Sequence, residues 1–549
     1  MKKTLSTLLT VILACMLLVG CSNNAAQPAP TEAAEETPAL VGSIPVTFPL
    51  VSAPKTLKVM ITAGGGIDQE NVFVWKKYEE MTGVDVVWTN LTKDTRTEAV
   101  HTALTNNRQV DLILRCKLSS TKLLRYGQNG LILDLAKDGL LQQNAPNCWA
   151  YLQSHPDTLA SVMNPDGTIY GLPQVNAGAE LRVGVKLFIN KQWLERVGMS
   201  VPTTTDELRA LLTAFKQQDA NGNGDPNDEI PFCSADWANA QLALYGAFGL
   251  ANRGFHNTAV DCDPETGAVR YIAACEPYRA FLEYMRDLYA DGLIDKNLFT
   301  ISSDQWLSHI SADHVGVFPM TNLGKVPADK LDNWVAVEQA LIGPAGDKLW
   351  SAVRANFHST GAAVLPATCS DPALALRWLD YFWTDAGTLF YHMGVEGETY
   401  TALEGGGYDY LPAIYEEIAA KNLTFDAVVA EYSPYPGGSN PTVEIAPYFM
   451  GGEMAAVPAS AARALMAYGP EEYWPDFTFT QEEIDALDTV NGDLSKYSNS
   501  MRVDFITGAQ SLGEWDAYVA KLEEMGVGEV LRVYQAAADR DHALIAALN

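Results

Sequence analysis

Apolar and polar positions alternate between strand and helix patterns in the first part of the chain. "TLKVMIT" (56–62) is apolar and β-branched, which predicts a strand. "NVFVWKKYEEM" (71–81) has helical spacing, and Gly83 stands where a helix would end. "VDVVW" (84–88) and "VDLILR" (110–115) then predict two more strands, with a second helical pattern between them. Strand and helix in alternation predict an α/β fold with parallel strands covered by helices.

Helical patterns dominate the later part of the chain. Thr204 and Glu207 form a T-x-x-E capping box ahead of an apolar stripe, and Thr480 and Glu483 form another. The segment 372–385 is also strongly helical by pattern. The last hundred residues are therefore expected to form a helical C-terminal region.

The N-terminus has the organisation of an export signal. "MKK" is basic, the apolar run that follows is too short for a comfortable transmembrane helix, and the run ends in "LVGC", Leu18 to Cys21. This ending resembles the lipobox of bacterial lipoproteins, which implies a signal peptide over 1–20 and lipidation of Cys21. An ordinary cleaved signal and an N-terminal anchor helix are the alternatives. Residues 21–54 are rich in Ala, Pro, Glu and Thr and predict a disordered tether.

Size and charge narrow the possibilities further. The chain has 549 residues, enough for two or more domains, and a formal net charge of −30. Such an acidic surface repels phosphate backbones, so nucleic acid is not expected as a partner. Six cysteines remain after the signal and the lipid site, without CxxC spacing, so no zinc site is predicted. Disulfides and buried free thiols both stay open.

The stretch "DANGNGDPNDEI" (219–230) predicts a calcium loop. Oxygen-bearing side chains at alternate positions of a tight loop suit Ca²⁺, which takes six to eight oxygen ligands. The alternative is a cluster of Asx turns, because these residues populate turns anyway. We expect a structural ion, and the candidate ligands are Asp219, Asn221, Asn223, Asp225, Asp228 and Glu229.

Several segments together resemble a known family. "GTIYGLPQV", "LFINKQWLERVGMSVPTTTDELRALLTAFKQQDANGNG", "DEIPF", "LYADGLID" and "MGVEGETY" are similar to extracellular solute-binding lipoproteins of carbohydrate ABC importers, as is "FITGAQSLGEWDAYVAKLEEMGVGEVLRVYQ". The resemblance is closest to the branch of alginate-oligosaccharide-binding proteins. That family closes its calcium loop with Asp-Glu before Ile-Pro. This chain has one residue more ahead of that pair, so Asp225 departs from the family pattern.

The resemblance implies a two-lobed, periplasmic-binding-protein-like fold of type II, with discontinuous lobes and a hinge. We expect residues 55–180 and 355–395 to form the first lobe. Residues 181–354 and 396–549 would form the second lobe, which carries the calcium loop and the helical C-terminal region. The crossings between the lobes are expected near 176–185, 354–363 and 394–401.

Ligand contacts in such a cleft need aromatic platforms and polar side chains with several hydrogen-bonding atoms. Tryptophans outside clear helical stripes, and polar residues near the expected crossings or at a strand end, are the candidates. They are Trp237, Arg354, Asn176, Asn322, Glu396, Trp306 and Trp350. Most aromatic residues pack in cores, and an interlobe hydrogen bond is the alternative role for each polar residue.

The function implied by the resemblance is the capture of an oligosaccharide between two lobes and its delivery to an ABC permease. The protein is expected to be a monomer, held outside the cytoplasmic membrane by its lipid anchor, with no catalytic residues. A secreted glycoside hydrolase is the first alternative. It needs two carboxylates about 5–10 Å apart, but among 67 acidic residues such a pair arises by chance and does not establish the activity. A surface glycan-binding adhesin or receptor is the second. The sequence leaves open which sugar is bound and whether it is neutral or acidic.

Overall fold

A computed structural model describes residues 44–225, 227–404, 406–421, 423–448 and 451–548, and the signal peptide, Cys21 and most of the expected tether lie outside these ranges. Fourteen strands occur in the described residues. In chain order they are β1 (Lys55–Thr62), β2 (Val84–Leu91), β3 (Leu112–Leu114), β4 (Leu172–Ala177), β5 (Lys186–Asn190), β6 (Ile230–Phe232), β7 (Val260–Cys262), β8 (Val269–Tyr271), β9 (Val315–Met320), β10 (Trp334–Ala336), β11 (Phe357–Val364), β12 (Tyr400–Ala402), β13 (Tyr408–Tyr410) and β14 (Val443–Ile445).

Twenty α-helices surround these strands in the same part of the chain. In chain order they are α1 (Phe73–Thr82), α2 (Arg96–Thr105), α3 (Ser120–Gln128), α4 (Leu140–Asn144), α5 (Pro146–Ser154), α6 (Pro156–Val162), α7 (Ala179–Arg182), α8 (Lys191–Val197), α9 (Thr205–Gln217), α10 (Trp237–Tyr245), α11 (Glu276–Ala290), α12 (Ser303–Ser311), α13 (Pro372–Asp380), α14 (Asp385–Met393), α15 (Pro412–Lys421), α16 (Phe425–Tyr432), α17 (Ala456–Met466), α18 (Gln481–Thr507), α19 (Trp515–Glu524) and α20 (Val527–Leu548).

Two larger sheets organise the molecule. The first has six strands in the order β14-β4-β11-β3-β1-β2, and the second has four in the order β10-β5-β9-β6. Strand β1 runs parallel to β2 and to β3, as the alternating pattern predicts. Strand β11 is antiparallel to both of its neighbours, because the chain returns to this sheet from the opposite direction. The α/β class predicted from the sequence is confirmed.

The local signals explain where the helices begin and end. Gly83 ends α1 in the left-handed conformation, with φ of 72°, which costs a glycine little. At α18 the capping box is complete, with Thr480 and Glu483 bonding reciprocally. The box predicted at Thr204 is only half formed. The Thr204 side chain accepts from the Glu207 amide, but Glu207 accepts from Thr203 instead of closing back on Thr204.

Two clusters of buried apolar residues form the core of the molecule. The large rings of Trp75, Trp378 and Tyr391 pack against the six-stranded sheet, and each is at most 2% exposed. Around the four-stranded sheet pack Phe188 and Phe318 together with apolar residues of the C-terminal helices. This second cluster also takes Met60, Ile113 and Val364 from the six-stranded sheet. The two lobes are joined where the chain passes from one sheet to the other.

The chain crosses between the sheets three times. After β4 it passes through α7 into β5, which matches the first expected crossing. It returns just ahead of β11. The third passage follows β14 and leads into α17, which packs on α7 and β10.

The expected third crossing at 394–401 differs from this path. There the chain stays beside the six-stranded sheet, where the Thr399 side chain donates to the Met393 carbonyl and Tyr400 packs in the first core. Because β14 pairs with β4, the six-stranded sheet extends to residue 445. The start of the second lobe expected at residue 396 therefore differs from the division made by the sheets. The physical reason is that two helices, α15 and α16, intervene before the sheet receives its last strand.

Part of the expected tether packs on the fold. The Ile44 amide donates to Asn147 Oδ1 at 2.6 Å, and the Phe48 ring lies 5.1 Å from that of Tyr381. Residues 44–54 therefore already pack on the fold, ahead of the start expected at Lys55. Within the described ranges no helix is both long enough and apolar enough to cross a membrane. All six cysteines of these ranges are free thiols.

Candidate functional site

A cavity of about 840 Å³ opens where the two sheets meet the crossing segments. Its walls come from the ends of β4 and β14, from the loops after β3 and β9, and from the start of α16. All three passages between the lobes contribute, through residues such as Gly184, Arg354 and Gly452. This volume lies within the range that encloses a small organic ligand, and clefts between lobes are a preferred location for such sites.

The first two crossings are hydrogen-bonded to one another beside the cavity. The Arg354 amide donates to the Arg182 carbonyl at 3.1 Å, and the Gly184 amide donates to the Ala352 carbonyl at 2.8 Å. The Arg182 guanidinium donates in turn to the Arg354 carbonyl at 3.0 Å. This short ladder fixes the relative path of the two segments, so side chains on either one keep a defined position.

Polar side chains from β4 and β14 form a connected network on one wall. Gln174 Nε2 donates to Asn176 Oδ1 at 2.8 Å, and Asn176 Nδ2 donates to the Leu181 carbonyl at 3.3 Å. Behind them the backbone N–H of Asn440 donates to Gln174 Oε1, and Asn440 Nδ2 donates to Glu444 Oε1. Such buried networks hold their polar groups in place with little freedom.

Arg354 is the most strongly perturbed cation of the cavity. Its guanidinium carbon lies 4.8 Å from the centroid of the Phe255 ring. Burial lowers the pKa of Arg354 to about 10, and the nearby carboxylates of Glu453 and Glu444 partly offset that effect. The guanidinium stays charged at neutral pH and offers a planar set of donors for ligand oxygens.

Three aromatic rings reach the cavity, those of Tyr415, Phe425 and Tyr435. Tyr415 is 40% exposed, its hydroxyl donates to Asp409 Oδ1 at 2.6 Å, and its ring lies 6.3 Å from that of Phe425. Tyr435 is only 2% exposed. Phe425 is half-buried, so Tyr415 has the most exposed ring of the three and offers an apolar face to a ligand.

The structure brings three of the predicted ligand residues together. Asn176 and Arg354 line the cavity from the first two crossings, and Asn322 lines it from the loop after β9. Asn322 Oδ1 accepts from the Gly324 amide at 2.8 Å, which shapes this loop into a turn. A ligand contact by these three residues stays a prediction.

The other four candidates lie outside the cavity, which corrects the expectation for them. Trp306 and Trp350 are at most 2% exposed and pack in the core, where Trp350 Nε1 donates to the Val185 carbonyl. Trp237 begins α10, and its ring is covered by Phe299 and by the Arg502 guanidinium.

Glu396 is exposed on the surface of the six-stranded lobe, since the third crossing runs elsewhere. The absence of a helical stripe around the three tryptophans therefore did not indicate a ligand site. Trp237 and Trp306 lie in the short helices α10 and α12 and Trp350 lies in a loop, and all three pack against the core.

Several cavity residues were missed by sequence reasoning. Lys117 and Thr321 follow the ends of β3 and β9, the kind of position at which α/β proteins bind ligands, and that rule would have found them. Glu444, Glu453 and Tyr435 come from around β14, a three-residue strand with no clear pattern of its own. No sequence signal separates these three from ordinary loop residues.

The acidic loop after α9 folds into a tight set of turns. The Asn223 amide donates to Asp219 Oδ1 and to Asn221 Oδ1, both at 3.0 Å, so these two oxygens converge. The side-chain amides of Asn221 and Asn223 both donate to the carboxylate of Asp228. Asp225 instead turns to Asn227, whose amide and side chain donate to its Oδ1. This matches its departure from the family spacing.

The surroundings of the Glu229 carboxylate indicate whether a cation fits this loop. Its Oε1 accepts from the Ala220 amide at 2.9 Å, while its Oε2 is buried without a hydrogen-bond partner among the described residues. Burial raises the pKa of Glu229. A buried carboxylate oxygen left unpaired beside converging amide and carboxylate oxygens suits a hard cation. Within the described ranges, however, no three His, Cys, Asp or Glu side chains are grouped so that they could hold a metal ion.

Comparison with known proteins places the chain in a class. No protein-family model matches it. It is 27% identical over 566 aligned positions to the fructooligosaccharide ABC transporter substrate-binding protein FusA of Streptococcus pneumoniae, with 98% of both chains covered. Over nearly its whole length the chain is similar to a solute-binding protein of an ABC transporter. The family resemblance seen in the sequence is thereby confirmed.

Solved structures show that the chain has the expected fold. The structure of FusA in complex with kestose covers 89% of this chain and 99% of its own, with 23% identity and a TM-score of 0.73. A solute-binding protein of Bifidobacterium longum infantis, described as binding HMO, has the same coverage, 20% identity and a TM-score of 0.75. The two-lobed fold predicted from the sequence is confirmed. A further relative, lipoprotein LipO of Bacillus subtilis, is 27% identical over 158 residues, 28% of this chain and 29% of its own.

Proposed function

We propose that this protein captures a neutral oligosaccharide in the cavity between its lobes and delivers it to an ABC permease. The observation that carries the proposal is the cavity itself, which takes residues from both sheets and from all three crossings. A ligand held by all of them contacts both lobes at once. Such a ligand stabilises the arrangement in which the lobes are closest, and that closed form is what a permease can distinguish from the empty protein.

The lining favours a sugar over an apolar ligand. Amides such as Gln174, Asn176 and Asn322 offer donors and acceptors, and the Tyr415 ring offers an apolar face. Sugars present both hydroxyl rims and C–H faces, so this mixture suits them. FusA, the relative that matches over nearly the full length, is named for fructooligosaccharides, which supports the same ligand class.

The charges of the lining favour a neutral sugar. Four carboxylates, those of Glu180, Asp426, Glu444 and Glu453, face three cationic side chains, and the whole chain carries −30. Glu180 is paired with Arg463 at 2.6 Å, but this neutralises only one acid. An acidic oligosaccharide would bring further negative charge without a matching surplus of cations.

We assign the lobes along the sheets. The first comprises about residues 44–180 and 357–445, and the second about 181–354 and 456–548. A lipid on Cys21 would hold the protein outside the membrane, after removal of a signal peptide over 1–20, and would keep captured ligand near the permease. The protein would act as a monomer. The name of the relative LipO, a lipoprotein, supports the anchor.

A structural Ca²⁺ in the loop after α9 is part of the proposal. Asp219, Asn221, Asn223, Asp228 and Glu229 would hold it, and the ion would supply positive charge that replaces the turn-internal hydrogen bonds. One solved FusA structure, at 24% identity and a TM-score of 0.71, is titled an EF-hand mutant, in line with such a loop in that protein. The ion would pin this loop and lie apart from the ligand.

The test is a titration of the lipid-free chain, from residue 44 onward, with kestose, nystose and an alginate oligosaccharide. Saturable binding of the neutral sugars, with the sugar recovered intact, is the expected result. At a hundredfold excess over Kd such a ligand stabilises the folded protein by about 2.7 kcal/mol. Preference for alginate would contradict the neutral class, and cleavage of the sugar would favour a hydrolase. No binding of any glycan would overturn the proposal.

A further inference from the structure

Arg115 is a buried cation that contacts the loop between α16 and β14. It follows β3 directly, is 2% exposed and has a φ of 58°, an uncommon conformation for a residue other than glycine. Its guanidinium donates to the backbone carbonyls of Pro434, Pro436 (2.6 Å) and Gly438 (3.2 Å), with Tyr435 at the limit of 3.5 Å. Among the described residues it has no carboxylate within salt-bridge distance, so these carbonyls are the main partners of its charge.

This loop forms part of the cavity wall, through Pro436, Gly437 and Gly438. It contains no helix or strand, and Gly437 and Gly438 have φ of 107° and 72°. Its two ends are held by hydrogen bonds of Ser433 and Asn440, but at 436–438 the Gly438 amide makes only a weak contact of 3.4 Å with the Tyr435 carbonyl. Arg115 therefore determines which way the loop presents its backbone.

Gly64, in the glycine run after β1, supports the same loop from another side. A Cβ at Gly64 would lie 2.2 Å from the Pro436 carbonyl oxygen, so only glycine allows this approach. A Cβ at Gly437 would lie 3.0 Å from Arg115 Nη2. The loop thus packs between the end of β1 and Arg115, and the carbonyls that accept from Arg115 point away from solvent.

These contacts fix the orientation of the Pro436–Gly437 peptide. The Pro436–Gly437 peptide is trans, so its N–H points opposite to its C=O. Because the Pro436 carbonyl faces Arg115, the Gly437 N–H faces away from Arg115. That N–H has no acceptor among the described residues, and Gly437 lines the cavity. An unpaired backbone donor at a cavity wall is a ready contact for a ligand oxygen.

We propose that the Gly437 amide donates a hydrogen bond to a hydroxyl oxygen of the bound sugar and that Arg115 is the positioning residue that aims it. The inference rests on the proposed function, because it assigns one contact within the same site. It makes Arg115 a determinant of ligand affinity although its side chain touches the loop and not the ligand. Loss of one such hydrogen bond weakens binding about tenfold.

The test compares Arg115→Lys with Arg270→Lys, a matched control. Arg270 is also an inward-facing arginine, but it pairs with Asp261 at 2.6 Å away from the cavity. Arg115→Lys keeps the charge and loses the fork that reaches several carbonyls. We expect Kd for kestose to rise about tenfold in Arg115→Lys and to stay within about twofold in Arg270→Lys. Equal Kd values for Arg115→Lys and the wild type would overturn the inference.

A second variant perturbs the loop without touching Arg115. Gly64→Ala should press on the Pro436 carbonyl and raise Kd, whereas Gly528→Ala, where a Cβ would meet nothing within 4 Å, should not. If Arg115→Lys fails to fold, this pair of variants still shows whether the position of the loop affects ligand affinity. Hydrogen exchange supplies a readout that loss of global stability would not mimic. The peptide covering 434–440 should exchange about tenfold faster in both loop variants, and kestose should protect it in the wild type.

The outcomes separate this inference from the proposed function. If the wild type binds no glycan, the proposed function is overturned and the Gly437 contact falls with it. If the wild type binds kestose and the 434–440 peptide gains no protection, only the Gly437 contact is overturned. If protection appears but the loop variants exchange and bind like the wild type, the positioning role of Arg115 is overturned.

Discussion

At the scale of single residues, Lys186 links the stability of the second lobe to pH. Its side chain is fully buried, and its Nζ donates to the Val183 carbonyl at 2.7 Å and to the Thr321 carbonyl at 2.9 Å. Burial lowers the pKa of Lys186 from 10.5 to about 8, which nearby Glu453 partly offsets. Between these two values the unfolded chain binds more protons at this lysine than the folded chain does. The free energy of unfolding should therefore rise with pH in this window.

Lys186→Met should remove this pH dependence. Between pH 8 and pH 10.5 the free energy of unfolding of the wild type should rise by about 3 kcal/mol relative to that of Lys186→Met. The reason is that each pKa unit is worth about 1.4 kcal/mol. Denaturant titrations of both proteins across this range measure it. Lys496→Met, at a lysine with 82% of its side chain exposed, is the control and should give parallel curves. A constant difference between Lys186→Met and the wild type would contradict the assignment.

Two aromatic residues should separate ligand affinity from stability. Tyr415 lines the cavity and is 40% exposed, so Tyr415→Ala should raise Kd for kestose about tenfold and change stability by less than about 1 kcal/mol. Trp237 lies outside the cavity between Phe299 and Arg502. Trp237→Ala should leave Kd unchanged and cost about 2 kcal/mol of stability. Calorimetric titration and thermal unfolding of the two variants measure both quantities, and the reverse result would place the ligand near α10.

At the scale of elements, the loop after α9 should respond to calcium. Ca²⁺ would engage Glu229 Oε2, the buried oxygen that has no partner among the described residues, and so raise the melting temperature. We expect Glu229→Gln to weaken Ca²⁺ binding at least tenfold, since an amide lacks the negative charge. Thermal shifts in calcium and in chelator measure this.

Glu195→Gln on the exposed face of α8 is the matched control and should keep the full shift. Mg²⁺ should produce little stabilisation, because it demands a more regular set of oxygens. A wild type whose melting temperature is the same in calcium and in chelator would show that the loop is a cluster of Asx turns. That was the alternative left open by the sequence.

The strands and helices of the first lobe are readable from the sequence because their local signals agree. β1, α1 and β2 each have a clear period, and Gly83 marks the break between two of them. β14 is not readable in the same way. It has three residues, and its place beside β4 depends on a contact between segments more than 260 positions apart. The third crossing and about half of the cavity lining depend on that contact, so the local sequence pattern does not locate them.

At the scale of the whole molecule, the three crossings predict a change of shape on binding. The first two are hydrogen-bonded into one ladder through Arg182 and Arg354, so they should move as a single hinge rather than independently. The cavity is lined by both lobes, and a ligand there gains contacts only as the lobes approach.

Kestose should therefore reduce the radius of gyration measured by small-angle scattering, and Tyr415→Ala should require about tenfold more sugar for the same compaction. Trp237→Ala should follow the wild-type curve. If sugar binds with a calorimetric signal but the scattering does not change, the protein holds its ligand without closing. A permease could then not tell loaded from empty protein by the shape of the lobes, which would favour a surface receptor over an importer component.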